Sequence, residues 1–199
     1  MRLYWCAERA DQGPRKIRID RLLRRALGPL VGLPAEQLVF GREAKGRPFL
    51  RHDRAPDFNL SDTVGGTLIA ITTSGRIGVD LERVDRRPPV HKLAQRWFSR
   101  EESTALLGLP PEAARVAFLH LWTAKEASCK ATGTGIYGFL GDWRFDPSSP
   151  SPRLLAAPAE AGTGERWRFL RLAPSSEHTA VLALWDAQEL PITGYRLND

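Results

Sequence analysis

The sequence predicts an α+β protein made of two similar halves, because helical and strand-like segments follow one another in the same order twice. A helical segment precedes strand-like segments in residues 1–87, and helical segments again precede strand-like ones in residues 88–199. The adjacent Pro88 and Pro89 interrupt the chain between these ranges and indicate a linker. We therefore expect an N-terminal half at residues 1–87 and a C-terminal half at residues 88–199.

The N-terminal half is predicted to begin with an amphipathic helix at residues 17–31. Apolar residues recur there with helical period, and the opposite face is basic. Alternating or β-rich composition then predicts three strands at residues 58–61, 67–72 and 77–82. Residues 41–55, which are rich in Gly, Arg and Lys, are expected to form a loop.

The C-terminal half is predicted to contain three helices and a hairpin. The first helix covers residues 90–97, and Ser99 with Glu102 forms a capping box that starts the second. The third and longest helix begins at Pro110-Pro111 and ends at Gly133. Residues 166–172 and 179–185 are expected to pair as the hairpin.

Composition narrows the function classes. Residues 1–100 carry 20 Lys and Arg against 11 Asp and Glu, whereas residues 101–199 carry 9 against 12. A basic half favours phosphate-rich ligands, acidic proteins or nucleic acid, and a solvated arginine-rich surface is the alternative. Cys6 and Cys129 form no C-x-x-C pair, so they are expected to be small core residues. The chain has no apolar run of about 20 residues and no signal-peptide pattern, so we expect a cytoplasmic protein without membrane contact.

The first candidate site element is a pair of carboxylates in the last N-terminal strand. Alternate side chains of a strand share a face, so Asp80 and Glu82 point together. Gly78 allows another group to approach the backbone closely. Two carboxylates on one face favour a hard divalent cation such as magnesium, and solvated acids on an exposed edge strand are the alternative.

The second element is a stripe on the longest helix, where Trp122, Glu126 and Lys130 are spaced four residues apart. A Glu–Lys pair at this spacing is also common on solvent-facing helices. In combination, however, Asp80, Glu82 and Glu126 can hold one magnesium ion while Lys130 offers a charge to a phosphate. This set of groups is suited to phosphoryl-type transfer.

Several segments resemble the signature motifs of the 4′-phosphopantetheinyl transferases. The two main motifs correspond to residues 77–82 (IGVDLE) and to residues 98–99 (FS) with 122–130 (WTAKEASCK). Two weaker motifs correspond to residues 46–48 (GRP) and 58–61 (FNLS). The length and two-half pattern resemble the monomeric, surfactin-synthetase-activating (Sfp-like) class.

The resemblance implies a fold of two pseudo-symmetric halves with the active site in the cleft between them. It implies that magnesium, or manganese in its place, binds to Asp80, Glu82 and Glu126 and bridges the pyrophosphate of coenzyme A. Glu126 is implied to deprotonate a serine of an acidic acyl or peptidyl carrier protein, and Lys130 to contact phosphate. The residues implied to hold coenzyme A are Arg47, Ser61, Asp62, Lys125 and Lys130, with Arg18 and Arg21 in the first helix. The resemblance further implies that the serine oxygen attacks the β-phosphorus and that 3′,5′-ADP leaves.

Two positions depart from the family pattern. Asp62 stands where the family has a histidine that contacts a phosphate, and Asp20 aligns with a family arginine. Arg18 and Arg21 flank Asp20 and are the expected substitutes. The departures allow two interpretations: weaker binding of coenzyme A, or a donor that lacks the 3′-phosphate.

Two other function classes remain as alternatives. One is a magnesium-dependent nuclease, which also uses clustered acids and a lysine on a basic protein. The other is a non-catalytic module that binds coenzyme A or another polyanion. The basic helix carries no interleaved aromatic residues, so we expect no nucleic-acid binding.

Overall fold

The computed structural model describes residues 1–8, 13–135, 140–187 and 191–197. Its helices are α1 (Arg15–Val31), α2 (Val90–Trp97), α3 (Arg100–Leu107) and α4 (Pro111–Thr132). Its strands are β1 (Arg2–Ala7), β2 (Phe40–Arg42), β3 (Pro48–Leu50), β4 (Asp57–Thr63), β5 (Gly66–Thr72), β6 (Arg76–Arg83), β7 (Arg144–Phe145), β8 (Leu154–Ala156), β9 (Trp167–Ser175), β10 (His178–Trp185) and β11 (Thr193–Arg196). The predicted α+β class is confirmed.

Two sheets form the centre of the molecule. The first has the strand order β11-β1-β5-β4, in which β11 runs parallel to β1 and the other pairs are antiparallel. The second has the order β6-β10-β9 and is antiparallel throughout. The pairs β2–β3 and β7–β8 form two further small hairpins.

Three apolar clusters arrange these elements in layers. Alternate residues of the facing strands, such as Leu68 of β5 and Val79 of β6, form a cluster between the two sheets. The apolar side of α1 packs with Phe58 on the other face of the first sheet. Phe118 of α4 packs with Val181 on the other face of the second sheet. The resulting order is helix, sheet, sheet, helix, and burial of apolar surface stabilises all three contacts.

Side chains of β4 join the edges of the two sheets. The carboxylate of Asp57 accepts a hydrogen bond from the backbone N–H of Ile77 at 2.8 Å. Two residues further along β4, the side-chain oxygen of Asn59 accepts a hydrogen bond from Val79 N–H at 3.0 Å. After two more residues, Ser61 Oγ accepts one from Leu81 N–H at 3.2 Å. We call these three contacts the β4–β6 ladder. They satisfy buried N–H groups on the edge of β6 opposite β10, which no strand of the described residues covers.

Gly78 brings β6 against α4, as its position in the sequence predicted. A Cβ atom on this residue would lie 1.9 Å from the carbonyl oxygen of Ala127 and 2.5 Å from the backbone nitrogen of Ala131. Because side chains alternate along a strand, Asp80 and Glu82 share this helix-facing side. The close contact therefore sets how near the strand carboxylates come to α4.

The predicted helices and hairpin are confirmed. Gly32 and Gly133 end α1 and α4 in the left-handed conformation, and Ser99 with Glu102 forms the capping box of α3. Cys6 and Cys129 are core residues. The prediction of a loop at residues 41–55 was wrong in part, because β2 and β3 lie there, and β1 and β11 were not foreseen.

The division into residues 1–87 and 88–199 stays a prediction. Strand β6 from the first range pairs with β10 from the second, and β11 from the second pairs with β1 from the first.

Among the described residues, no helix combines the length and the apolar character needed to cross a membrane.

We predict that Gly78→Ala lowers the free energy of unfolding by about 2–3 kcal/mol or more, because the new methyl group overlaps the backbone of α4. The control is Gly194→Ala on the exposed strand β11, where an added Cβ meets nothing within 4 Å. Urea denaturation of both variants measures the difference. The control is expected to stay within about 0.5 kcal/mol of the parent protein, and an equally small effect of Gly78→Ala would contradict the close packing of β6 on α4.

Candidate active site

Asp80 lies at the junction of the two sheets and α4. It is buried, and its Oδ1 accepts hydrogen bonds from Ser61 Oγ at 3.0 Å and from Lys130 Nζ at 2.6 Å. Its second oxygen, Oδ2, is buried and has no hydrogen-bond partner within the described residues. A buried carboxylate oxygen without a partner is costly, so this atom is an open acceptor for a cation.

Glu82 lies two residues further along the same face of β6 and forms an ion pair with Arg86. The Arg86 guanidinium also lies over the ring of Trp122, 5.7 Å from its centroid. Sequence reasoning missed Arg86, because the turn after β6 brings it back to the strand and no periodic pattern predicts that return.

The stripe on α4 faces the acids of β6, and we call Asp80, Glu82, Glu126 and Lys130 the acid–lysine cluster. Lys130 Nζ lies 4.0 Å from Glu126 Oε2 while it contacts Asp80. Trp122 is anchored by a stacked contact with Phe118, at 5.5 Å between ring centroids. The structure therefore brings Asp80, Glu126 and Lys130 together, on elements held by buried packing.

The pKa values of the acids reflect their crowding. Burial, followed by the neighbouring charge of Asp80, raises the pKa of Glu126 to about 8. The same two causes in the same order raise the pKa of Glu82 to about 7, although the Arg86 pair opposes the rise. Three carboxylates thus lie close enough to repel one another, which a divalent cation would relieve.

The donor set fits a hard divalent cation. Carboxylate oxygens are the ligands that magnesium prefers, and Oδ2 of Asp80 has no hydrogen-bond partner within the described residues. Two basic side chains contact the acids: Lys130 pairs with Asp80, and Arg86 pairs with Glu82. Within the described residues, no three His, Cys, Asp or Glu side chains form a group that could hold a metal ion as they stand. The three acids would therefore have to move closer together to share one.

A cavity of about 240 Å³ lies beside Lys130. Its lining includes Arg47, Asn59, Cys129 and Lys130 together with Gly133. Arg47 was predicted to hold coenzyme A, and the structure gives its guanidinium several internal partners. It pairs with the carboxylate of Asp57 at 2.7 and 2.9 Å and donates to the carbonyl oxygens of Lys130 at 2.8 Å and Ile77 at 2.9 Å. Arg47 therefore links the ladder to the C-terminal end of α4.

The acids and the lysine described above lie in the part of the chain that matches a known family. The sequence profile of the 4′-phosphopantetheinyl transferase superfamily (ACPS) matches residues 76–187, which include β6, α4 and all four residues of the acid–lysine cluster. The chain belongs to this superfamily. Arg18, Arg47 and Ser61 lie outside the matched residues.

Named relatives extend the match. The 4′-phosphopantetheinyl transferase HetI of a Nostoc species is 34% identical over 167 residues, which are 82% of this chain and 67% of HetI. The 4′-phosphopantetheinyl transferase psf-1 of Bacillus pumilus is 36% identical over 118 residues, which are 59% of this chain and 49% of psf-1. The matched part of the chain thus spans about half of psf-1 and about two thirds of HetI.

A solved structure, the holo-[acyl-carrier-protein] synthase of Thermotoga maritima, aligns with 58% of this chain and 65% of its own. The alignment has a TM-score of 0.45 and 23% sequence identity. That score is too low to establish a shared fold, so membership of the superfamily depends on the sequence matches.

Lys125 requires a correction. Its place in the phosphopantetheinyl transferase motif implied a contact with coenzyme A, but its side chain is fully buried in the core of the C-terminal half. Its Nζ pairs with Glu102 Oε2 at 2.8 Å and donates to the carbonyl oxygens of Leu140 and Trp143. Adjacent residues on a helix point about 100° apart, so Lys125 faces inward where Glu126 faces the cluster. Burial lowers the pKa of Lys125 despite the opposing effect of Glu102.

The N-terminal positions implied to hold coenzyme A differ in their accessibility. Arg18 is almost fully buried and donates to Thr67, Glu8 and Asp62 at 3.0, 3.2 and 3.1 Å. Arg15 also pairs with Asp62, whose side chain is 4% exposed. Arg21 lies exposed on α1. The negative charge of Asp62 is therefore balanced by two arginines, which the sequence did not reveal.

Asp62 and Ser61 point to opposite sides of β4, as strand alternation requires. Ser61 reaches the acid cluster through Asp80 and Lys130, whereas Asp62 reaches α1. The structure therefore brings Ser61 to the predicted site and places Asp62 in a separate network beside it.

We predict that Lys125→Met lowers the free energy of unfolding by about 3–5 kcal/mol, because it leaves the buried carboxylate of Glu102 without its counter-charge. Lys92→Met on the exposed side of α2 is the matched control and should change stability little. The double variant Lys125→Met/Glu102→Gln should recover part of the loss in denaturant titrations. A stability of Lys125→Met equal to that of the control would show that the pair is not a structural contact.

Proposed function

We propose that this chain transfers the phosphopantetheine group of coenzyme A to a serine hydroxyl of an acyl or peptidyl carrier protein. The serine oxygen forms a bond to the β-phosphorus, the bond from that phosphorus to the bridging pyrophosphate oxygen breaks, and 3′,5′-ADP leaves. The observation that carries the proposal is the convergence of Asp80, Glu126 and Lys130 within the residues matched by the superfamily. We also propose that the enzyme is cytoplasmic and monomeric.

The side chains of the cluster have separable roles in this reaction. Asp80, Glu82 and Glu126 would hold magnesium, which when bound neutralises charge on the pyrophosphate. Lys130 supplies a positive charge to a phosphate oxygen, for which it must leave the carboxylate that it contacts at 2.6 Å. Glu126 accepts the proton of the serine hydroxyl, directly or through water.

The cavity of about 240 Å³ is the proposed site for the donor, because it adjoins Lys130 and lies on the glycine-containing turn after α4. Arg47 contributes by holding the end of α4 in place. The exposed basic face of α1 would steer an acidic carrier protein towards the cluster. The superfamily assignment supports this function over that of a nuclease. The alternative function that remains is a non-catalytic module that binds coenzyme A.

Intact-protein mass spectrometry distinguishes the transferase from the binding module. An apo acyl carrier protein incubated with this protein, coenzyme A and magnesium is expected to gain the mass of one phosphopantetheine group, and EDTA should prevent the gain. Coenzyme A binding by calorimetry without any mass gain, across fatty-acid, polyketide and peptide-synthetase carriers, would instead identify a module that has lost the activity.

We predict that Glu126→Gln or Asp80→Ala lowers the transfer rate by roughly 100-fold or more, because each removes a carboxylate from the cluster. Circular dichroism should show that both variants remain folded. The exposed Glu165→Gln is the control and should keep the parent rate. Near-normal turnover in either cluster variant would refute the assignment of these acids.

We predict that Asp62→His tightens binding of coenzyme A by roughly fivefold or more, since it removes a negative charge and releases the mostly exposed Arg15. Isothermal titration with coenzyme A and with 3′-dephospho-coenzyme A measures the effect. The control is Asp20→Asn, which removes a carboxylate of α1 that pairs with Arg24. A gain for both donors alike, or none, would show that this network does not act on the 3′-phosphate.

A further inference from the structure

A second cavity lies on the side of α4 that faces away from the acid cluster. Its volume is about 350 Å³, which is within the size range of small-molecule sites. Val116, His120 and Leu121 of α4 form one wall, and Phe145 and Arg171 contribute to the other. None of the carboxylates assigned to the proposed reaction lines it.

Helix geometry explains this separation. His120 and Trp122 are two positions apart, which places them about 200° apart around the helix axis. The stripe of Trp122, Glu126 and Lys130 therefore faces one flank, and the cavity occupies the other. The cavity and the proposed transferase site share α4 but no residue of the acid–lysine cluster.

Arg171 is an unusual residue for its position. It follows Trp167 and Phe169 at alternate positions on the inner face of β9, where the other two side chains belong to the apolar packing beside α4. Its Nε is buried and has no hydrogen-bond partner within the described residues. Burial also lowers the pKa of Arg171. A desolvated guanidinium with an unsatisfied N–H favours the binding of an anion.

The acids on the cavity wall do not satisfy that donor. Glu112 is paired with Arg87 and Arg115, and Asp146 is paired with Arg153 at 3.6 Å. The formal charge left over in the cavity is therefore the positive one of Arg171. His120 adds no charge near neutrality, because burial, and then the proximity of Arg171, lower its pKa to about 4. Its neutral ring offers a hydrogen bond instead.

We propose that this cavity binds a small monocarboxylate with an aliphatic body, such as a medium-chain fatty acid. The carboxylate would pair with the guanidinium of Arg171, which lines the cavity and whose planar arrangement of N–H groups suits a carboxylate. The aliphatic body would cover the apolar wall formed by Val116, Ala117 and Leu121. This site does not depend on the proposed transferase activity.

Isothermal titration with octanoate and with 1-octanol tests the proposal, because the two probes have the same aliphatic body. Octanoate is expected to bind with one site per chain and at least about tenfold tighter than octanol, since only the carboxylate can satisfy the guanidinium. Equal binding of both probes, or no saturable binding of octanoate, would overturn the proposal.

Substitutions of residues that line the second cavity test whether octanoate binds there. Arg171→Gln should lower octanoate affinity about tenfold or more, and Val116→Trp should block binding by filling the cavity. Arg168→Gln is the matched control, because Arg168 is exposed on the opposite face of the same strand. Circular dichroism checks that all three variants fold. Undiminished binding by folded Arg171→Gln and Val116→Trp would overturn the proposal, as would displacement of octanoate by coenzyme A.

Discussion

The hydrogen bonds of the β4–β6 ladder are the constraint on which the rest of the structure depends. Two sheets meet at their edges there, and side chains of Asp57, Asn59 and Ser61 take the place of a strand's carbonyl oxygens. Because the three acceptors recur at every second residue, they set the register of β4 against β6 as strictly as a backbone pair would. The third rung also contacts Asp80, so the element that aligns the sheets also orients the first carboxylate of the cluster.

The charged side chains in the C-terminal part of α4 point in two different directions. Lys125 points into the core and is paired there with Glu102, whereas Glu126 and Lys130 point towards β6. The buried pair links α3, α4 and the segment before β7, and so fixes the rotation of α4 about its axis. If α4 could rotate, Glu126 and Lys130 would move away from Asp80. The buried Lys125–Glu102 pair therefore affects the acid–lysine cluster although it does not contact it.

The sequence was sufficient to predict the elements whose signals are local. The period of α1, the capping box of α3 and the glycine after α4 each depend on neighbouring residues, and all three are confirmed. Strand alternation predicted that the two acids of β6 share a face, and helix spacing predicted that Glu126 and Lys130 do. That the strand and the helix meet was implied only by the family resemblance. Strands β1 and β11 were missed, because each is defined by a partner distant in the chain. The partners of Asp62 were likewise unpredictable, since Arg15 and Arg18 reach it across 47 and 44 residues.

The pairing of β6 with β10 has a consequence for the synthesis of the protein. Asp80 lies opposite Val181, so one edge of β6 cannot be covered until about a hundred further residues have been translated. During that interval the nascent chain presents an unpaired strand with one apolar face, a species prone to aggregation. Such distant pairing also raises contact order and slows folding. Production of this protein should therefore benefit from low temperature and from chaperones that shield the growing chain until β10 has left the ribosome.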